Sequence, residues 1–250
     1  MFPLRDDISS LSPPLATIAL ILLNAAVWVL IQGMGVEPSL SRSVCELGLI
    51  PAELLGHVRP GAQVALGPGL ACGLSHGPSW FTPFTSMFLH AGWFHIVGNM
   101  WFLWVFGNNT EDAMGHARFV VFYLLCGLAA AGLQTATNPA SVMPMVGASG
   151  AIGGVMGGYL VQYPRARVLT MLVLGFFIRT VWLPAWAMLG YWFLLQFLGG
   201  LPALGSDEPG VAFAAHIGGF VAGMALIVLF RTPRRAVPEA EPSWRDLGPP

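Results

Sequence analysis

The chain has no lysine: all 11 of its basic residues are arginine, 12 acidic residues nearly balance them, and charged residues fill only 9% of the 250 positions. A soluble domain carries about 25% charged residues, so this shortage excludes an ordinary water-facing surface. The formal net charge of -1 excludes the basic face that nucleic acid requires and gives no attraction for acidic substrates. Three cysteines, Cys45, Cys72 and Cys126, are too few for a disulfide scaffold, and their spacing fits no metal motif.

What is abundant is apolar: 55% of residues are hydrophobic and the mean hydropathy is +0.69. That composition predicts an all-α polytopic membrane protein whose first partner is the lipid bilayer. A bilayer core of about 30 Å takes roughly 20 apolar residues per helix. Six runs qualify, near 14–33, 87–107, 117–137, 149–163, 181–199 and 211–230. With the N-terminus inside, the inner segments hold Arg5, Arg118, Arg165, Arg167, Arg179, Arg231, Arg234, Arg235 and Arg245, and the outer ones only Arg42 and Arg59. That bias predicts both termini on the inner side. Residues 1–13 then form an inner N-terminal segment, 14–230 the six-span domain, 34–86 a long outer loop and 231–250 a disordered, proline-rich inner tail. The first run follows no basic n-region and precedes no A-x-A site, so it reads as a retained anchor.

Two points stay open at this level. The apolar stretch 168–178, VLTMLVLGFFI, is short for a span and reads either as a seventh crossing or as a segment at the inner surface; six spans is the count retained. Cys45 and Cys72 share the outer loop and either pair or stay free thiols, while Cys126 is a packing residue within the third span.

Polar side chains inside spans are costly and therefore functional candidates. Span two carries HAGWFHIVGN, with His90, His95 and Asn99; span four opens at Ser149 in MVGASGAIGG; span six carries AHIGGFVAG, with His216. No Asp or Glu falls inside a proposed span and no H-E-x-x-H run occurs, which counts against aspartyl and zinc chemistry. A metal is disfavoured further because the i, i+5 spacing of His90 and His95 splays two ligands of one helix apart. On span four, Gly153 and Gly157 follow Ser149 along one face, with Gly150, Gly154 and Gly158 beside them. On span six, Gly219 and Gly223 follow His216. Such ridges let helix backbones approach closely, bringing Ser149 and His216 within the hydrogen-bond reach that a nucleophile and its base require. The 15 residues from Ser149 to Tyr163 make about 22 Å of helix, so the serine lies below the outer surface and needs a water-filled cavity.

From about Thr85 to Gly223 the sequence resembles the rhomboid family of intramembrane serine proteases. The resemblance rests on H-x4-H-x3-N (His90, His95, Asn99), G-x-S-G (Gly147, Ser149, Gly150) and A-H-x2-G-x3-G (Ala215, His216, Gly219, Gly223), in that order on successive spans. Glu111 and Gly115 also fit the family pattern. It implies a Ser149–His216 dyad without a carboxylate and without cofactor or metal. The oxyanion would be held by the Ser149 N–H, Asn99 and His95; His90, Gly147, Gly150, Gly219 and Gly223 would be supporting residues. The implied substrates are single-span membrane proteins, cut in or near their transmembrane segment. Span five would act with span two as a lateral entrance, and the loop near 200–210 as a lid. Two positions depart from the family: Phe81 and Thr82 stand where many members carry Trp-Arg, and Gly153 stands where some place an aromatic residue against the histidine.

The rival reading is a catalytically inactive rhomboid-like protein that binds membrane clients. A transporter is disfavoured because no inverted repeat and no coupling charges are visible. The all-arginine complement and short tails suggest a bacterial inner membrane.

Overall fold

The computed structural model describes residues 1–59, 61–67, 70–74, 79–175, 177–203 and 212–232. Of the expected tail 231–250 only Arg231 and Thr232 are described, the latter donating its N–H to the Ala113 carbonyl at 3.0 Å; of the expected lid at 200–210, residues 200–203 belong to the end of the helix Ala185–Ala203, and the rest lies outside the described residues. Nine α-helices are described: α1 Leu15–Leu30, α2 Ser39–Leu47, α3 Pro51–Leu54, α4 Thr82–Thr85, α5 Trp93–Met114, α6 His116–Thr137, α7 Ser149–Gln162, α8 Ala185–Ala203 and α9 Phe213–Phe230. The six longest match the six apolar runs. Of these, α6 and α9 are long and apolar enough to cross a membrane, and α1 is a shorter apolar helix.

The fold is mainly helical but not all-α. Strand β1 (Phe2–Asp6) pairs antiparallel with β4 (Arg167–Leu174), which pairs with β5 (Phe177–Pro184); β2 (Gln63–Gly67) and β3 (Leu70–Gly73) form a separate ribbon. The stretch 168–178 therefore belongs to a strand hairpin and is not a seventh helical span. Its Val, Thr, Ile, Phe and Trp content suits a pleated strand, and Gly175, with φ of +60°, supplies the left-handed backbone of a tight turn. Residues 181–184, expected at the start of span five, complete β5, and the helix begins at Ala185. The N-terminal segment, expected only as a tail, is the third strand.

Helix α5 is shifted relative to the expected 87–107. It starts at Trp93, after the extended Gly92, and continues through Asn108 and Asn109 to Met114. The extension is tolerated because the acidic pair at its end is bonded by α1 and the segment before it. The Ala16 and Thr17 N–H groups donate to Glu111 Oε1 and Oε2 at 2.9 and 2.7 Å, and Thr17 Oγ1 donates to Oε2 at 2.6 Å. The Leu11 N–H donates to Asp112 at 2.9 Å, and the Ser12 hydroxyl bonds the same carboxylate. Helix α1 has no capping side chain of its own, so Glu111 satisfies the first-turn donors of Ala16 and Thr17, while Asp112 holds the segment that leads into the helix.

The core lies around α7. Ile152, Val155, Met156 and Tyr159 of α7 are buried against Phe106 of α5, Phe122 and Cys126 of α6 and Phe220 of α9. Between α1 and α5, Cys45 and Cys72 form a disulfide, with Cα atoms 5.4 Å apart. Cys126 is free and buried, as a packing residue should be.

Candidate active site

Helices α7 and α9 touch backbone to backbone. A Cβ added at Gly219 would overlap the Gly150 carbonyl, and one at Gly223 the Gly154 carbonyl. Only residues without side chains allow that approach. Its consequence is direct: His216 Nε2 lies 2.7 Å from Ser149 Oγ.

Ser149 is the first residue of α7, so its own N–H belongs to the first turn, which has no intrahelical acceptor. Gly147, two residues earlier, has φ of +130°, and a Cβ there would stand 2.7 Å from His95 Nε2. Its N–H donates to the Ser86 carbonyl at 2.9 Å, which fixes the loop leading into the serine. On α5, the Ala91 N–H donates to His95 Nδ1 at 3.3 Å, so the neutral ring carries its proton on Nε2. One turn further along the same face, Asn99 is 8% exposed and its Nδ2 has no hydrogen-bond partner. Ser149, His216, His95 and Asn99 all line one cavity of about 640 Å³. Two donors and a helix N-terminus thus face the space in front of the serine without other employment.

His90 does not share the helix of His95. It precedes α5, and instead of splaying apart the two rings meet edge to face with centroids 5.2 Å apart. The backbone N–H and C=O of His90 both bond the Gln32 side-chain amide at 2.8 Å. His90 is fully buried, packs on His95 and does not line the cavity. Among the described residues no group of three His, Cys, Asp or Glu side chains is placed to hold a metal ion.

Two residues that the sequence reading missed stand against His216. Gln196 Oε1 is 2.7 Å from Nδ1, and the Trp192 ring lies 5.8 Å away, centroid to centroid, tilted by 38°. Trp192 reaches to within 3.7 Å of where a Gly153 Cβ would stand, so a ring from α8 covers the histidine where α7 carries only glycine. A lone amide within the apolar helix α8 was the available signal for Gln196. Ala215, preceding the histidine, is tied to α6 through its N–H, which donates to Gln134 Oε1 at 3.3 Å.

The family model for the rhomboid domain matches residues 77–233. The chain belongs to the rhomboid family. Similar proteins include the rhomboid-like protein 11, chloroplastic, of Arabidopsis thaliana, 31% identical over 61% of this chain and 53% of that protein. The putative rhomboid protease YdcA of Bacillus subtilis (strain 168) is 35% identical over 37% of this chain and 45% of its own. Rhomboid-related protein 2 of Mus musculus is 31% identical over 56% of this chain and 44% of its own. This rhomboid spans about half the length of these relatives or less. All three of its motifs fall within the matched residues.

Proposed function

We propose that this rhomboid is an intramembrane serine endopeptidase that cleaves single-span membrane proteins in or near their transmembrane segment. The observation that carries the reading is the 2.7 Å contact of His216 Nε2 with Ser149 Oγ, at the wall of a cavity that His95 and the unpartnered Nδ2 of Asn99 also line. In this mechanism Ser149 Oγ attacks the substrate carbonyl carbon as its proton passes to His216 Nε2. The tetrahedral oxyanion accepts hydrogen bonds from the Ser149 N–H, Asn99 Nδ2 and His95 Nε2. Collapse breaks the peptide C–N bond, with the His216 proton going to the leaving nitrogen; water then repeats the cycle on the acyl-enzyme. Each preorganised donor in such a poorly solvated site is worth about 3 kcal/mol.

The setting supports a bilayer. Large apolar side chains are exposed on α1, α5, α8 and α9, among them Leu22, Phe94, Leu198 and Leu229, with Phe94 96% exposed. Water penalises such surfaces and lipid does not. In this reading α1, α5, α6, α7, α8 and α9 cross the membrane with both termini inside, α5 and α8 flank the substrate entrance, and the cavity opens outward. A substrate helix must unwind there, because its carbonyls are otherwise held by i to i-4 bonds, so helix-weakening residues near the cut favour cleavage.

The test is fluorophosphonate labelling of the full chain in detergent, comparing wild type with Ser149→Ala and His216→Ala. Labelling of the wild type that is lost in both variants is the expected result. A folded wild type that does not label, or a Ser149→Ala variant that labels equally, refutes the reading and leaves the inactive client-binding rhomboid.

A further inference from the structure

We propose that Gln196 of α8 is a positioning residue that fixes the tautomer of His216, leaving Nε2 free to receive the Ser149 proton. The inference rests on the protease reading above and extends it to a residue outside the three motifs.

Gln196 Oε1 lies 2.7 Å from His216 Nδ1, and Gln196 Nε2 donates to the Trp192 carbonyl at 3.4 Å. Turning the amide over would set its oxygen against the Trp192 carbonyl oxygen, two acceptors facing each other, so the oxygen is the atom that faces the ring. An amide oxygen only accepts, and therefore Nδ1 carries the hydrogen. In a neutral imidazole that leaves Nε2 with a lone pair. The Ser149 hydroxyl then donates to Nε2 at 2.7 Å, the direction of proton transfer that general-base catalysis needs. Trp192 adds a wall: its ring lies against His216 and limits rotation, while its carbonyl holds the glutamine. Among the described residues, the titratable neighbour of His216 is His95 on α5; α6, α7 and α8 turn no carboxylate or arginine toward it in the cavity lining.

The geometry has a further consequence. The acceptor belongs to α8 and the base to α9, so separating these helices releases the Nδ1 hydrogen. The ring can then take the other tautomer, whose Nε2–H cannot accept from serine.

The experiment measures the rate of fluorophosphonate labelling from mildly acidic to mildly alkaline pH for wild type, Gln196→Leu and Gln196→Glu, with thermal unfolding of each. Removing the acceptor in Gln196→Leu slows labelling about tenfold at unchanged Ser149, the effect of one hydrogen bond. Gln196→Glu restores an acceptor, recovers the rate at neutral pH, and moves the acid limb of the profile upward because a carboxylate stabilises the imidazolium. A side chain at 196 that did not face Nδ1 would not move that limb, and if Gln196→Leu fails to fold, Gln196→Met, which keeps the volume and removes the acceptor, takes its place beside Gln196→Glu. Wild-type labelling together with a folded Gln196→Leu that labels equally fast, or a Gln196→Glu profile that does not move, overturns the proposal. A wild type that does not label overturns the protease reading, and this proposal with it.

Discussion

Replacing Gly219 by alanine adds one methyl group at the closest point between α7 and α9, and the effect can be worked from the geometry. The new Cβ would overlap the Gly150 carbonyl. Both atoms belong to helical backbone, so no rotamer change relieves the overlap and the helices must separate, by about 1 Å. The Ser149 Oγ to His216 Nε2 distance is 2.7 Å, and that separation takes it beyond the hydrogen-bond range. A misplacement of about 1 Å costs on the order of 10²-fold in rate, whereas overpacking costs only about 1–3 kcal/mol in stability. Gly219→Ala should therefore remain folded, melt at a lower temperature, and react with fluorophosphonate about a hundredfold more slowly. Gly132 of α6 is the matched control: nothing lies within 4 Å of where its Cβ would stand. Gly132→Ala should label like the wild type and gain up to about 1 kcal/mol of helix stability. A Gly219→Ala variant that labels at the wild-type rate would show that α7–α9 proximity does not set the dyad.

Three further outcomes are expected. Asn99→Ala removes an oxyanion donor that has no other partner and should lower the cleavage rate of a transmembrane substrate by about 10²-fold or more, with the melting temperature little changed. Cys45→Ser opens a disulfide between positions 27 residues apart and should cost about 3–4 kcal/mol by the chain-entropy estimate, read as a lower melting temperature that reducing agent reproduces in the wild type. Burial, partly offset by hydrogen bonds from Tyr159 and Asn109, raises Asp6 from 3.8 to about 6. The folded state then holds this proton more tightly than the unfolded chain, so the stabilisation, about 3 kcal/mol, is full below about pH 4 and lost as pH rises through about 6. Denaturant titrations across that window should show the loss, Asp6→Asn should flatten it, and a rise in stability with pH would contradict the assignment.

The contact between Ser149 and His216 was legible in the sequence because two independent patterns converge on it. Short polar motifs name Ser149 and His216, and the glycine ridges behind them predict the close helix approach that brings them together. The helices were legible where apolar runs were long. The hairpin at 167–184 was not, because an apolar strand pair turning at a single glycine has the same composition as a short span. The boundaries of α5 were misjudged for a related reason. Its charged end looks like a loop until Glu111 is seen to cap α1 and Asp112 to bind the segment before it, 94 to 101 residues away in sequence. Gln196 and Trp192 were missed because their partner, His216, lies on another helix, and no spacing rule within one helix reports such a contact. The cysteine pair was undecidable from spacing and needed the fold of the segment between α1 and α5.

The distribution of charge explains why an amide rather than a carboxylate stands behind His216. The buried carboxylates Glu111 and Asp112 lie in the last turn of α5, and Asp6 accepts hydrogen bonds from Tyr159 and Asn109 at 2.6 Å each. Tyr159 is ten residues along α7 from Ser149, a separation of about 15 Å. At that end each carboxylate is matched by backbone N–H groups or hydroxyls, which offset the cost of its burial. Near the dyad the surroundings are apolar and the available donors belong to the oxyanion site, so a carboxylate behind His216 would be desolvated without comparable compensation. A neutral amide orients the ring at lower cost and leaves the developing imidazolium less stabilised than a carboxylate would. In the proposed mechanism the proton would then return readily to the leaving nitrogen, and the stabilisation of charge in the transition state would fall on the oxyanion side, on Asn99, His95 and the N-terminus of α7.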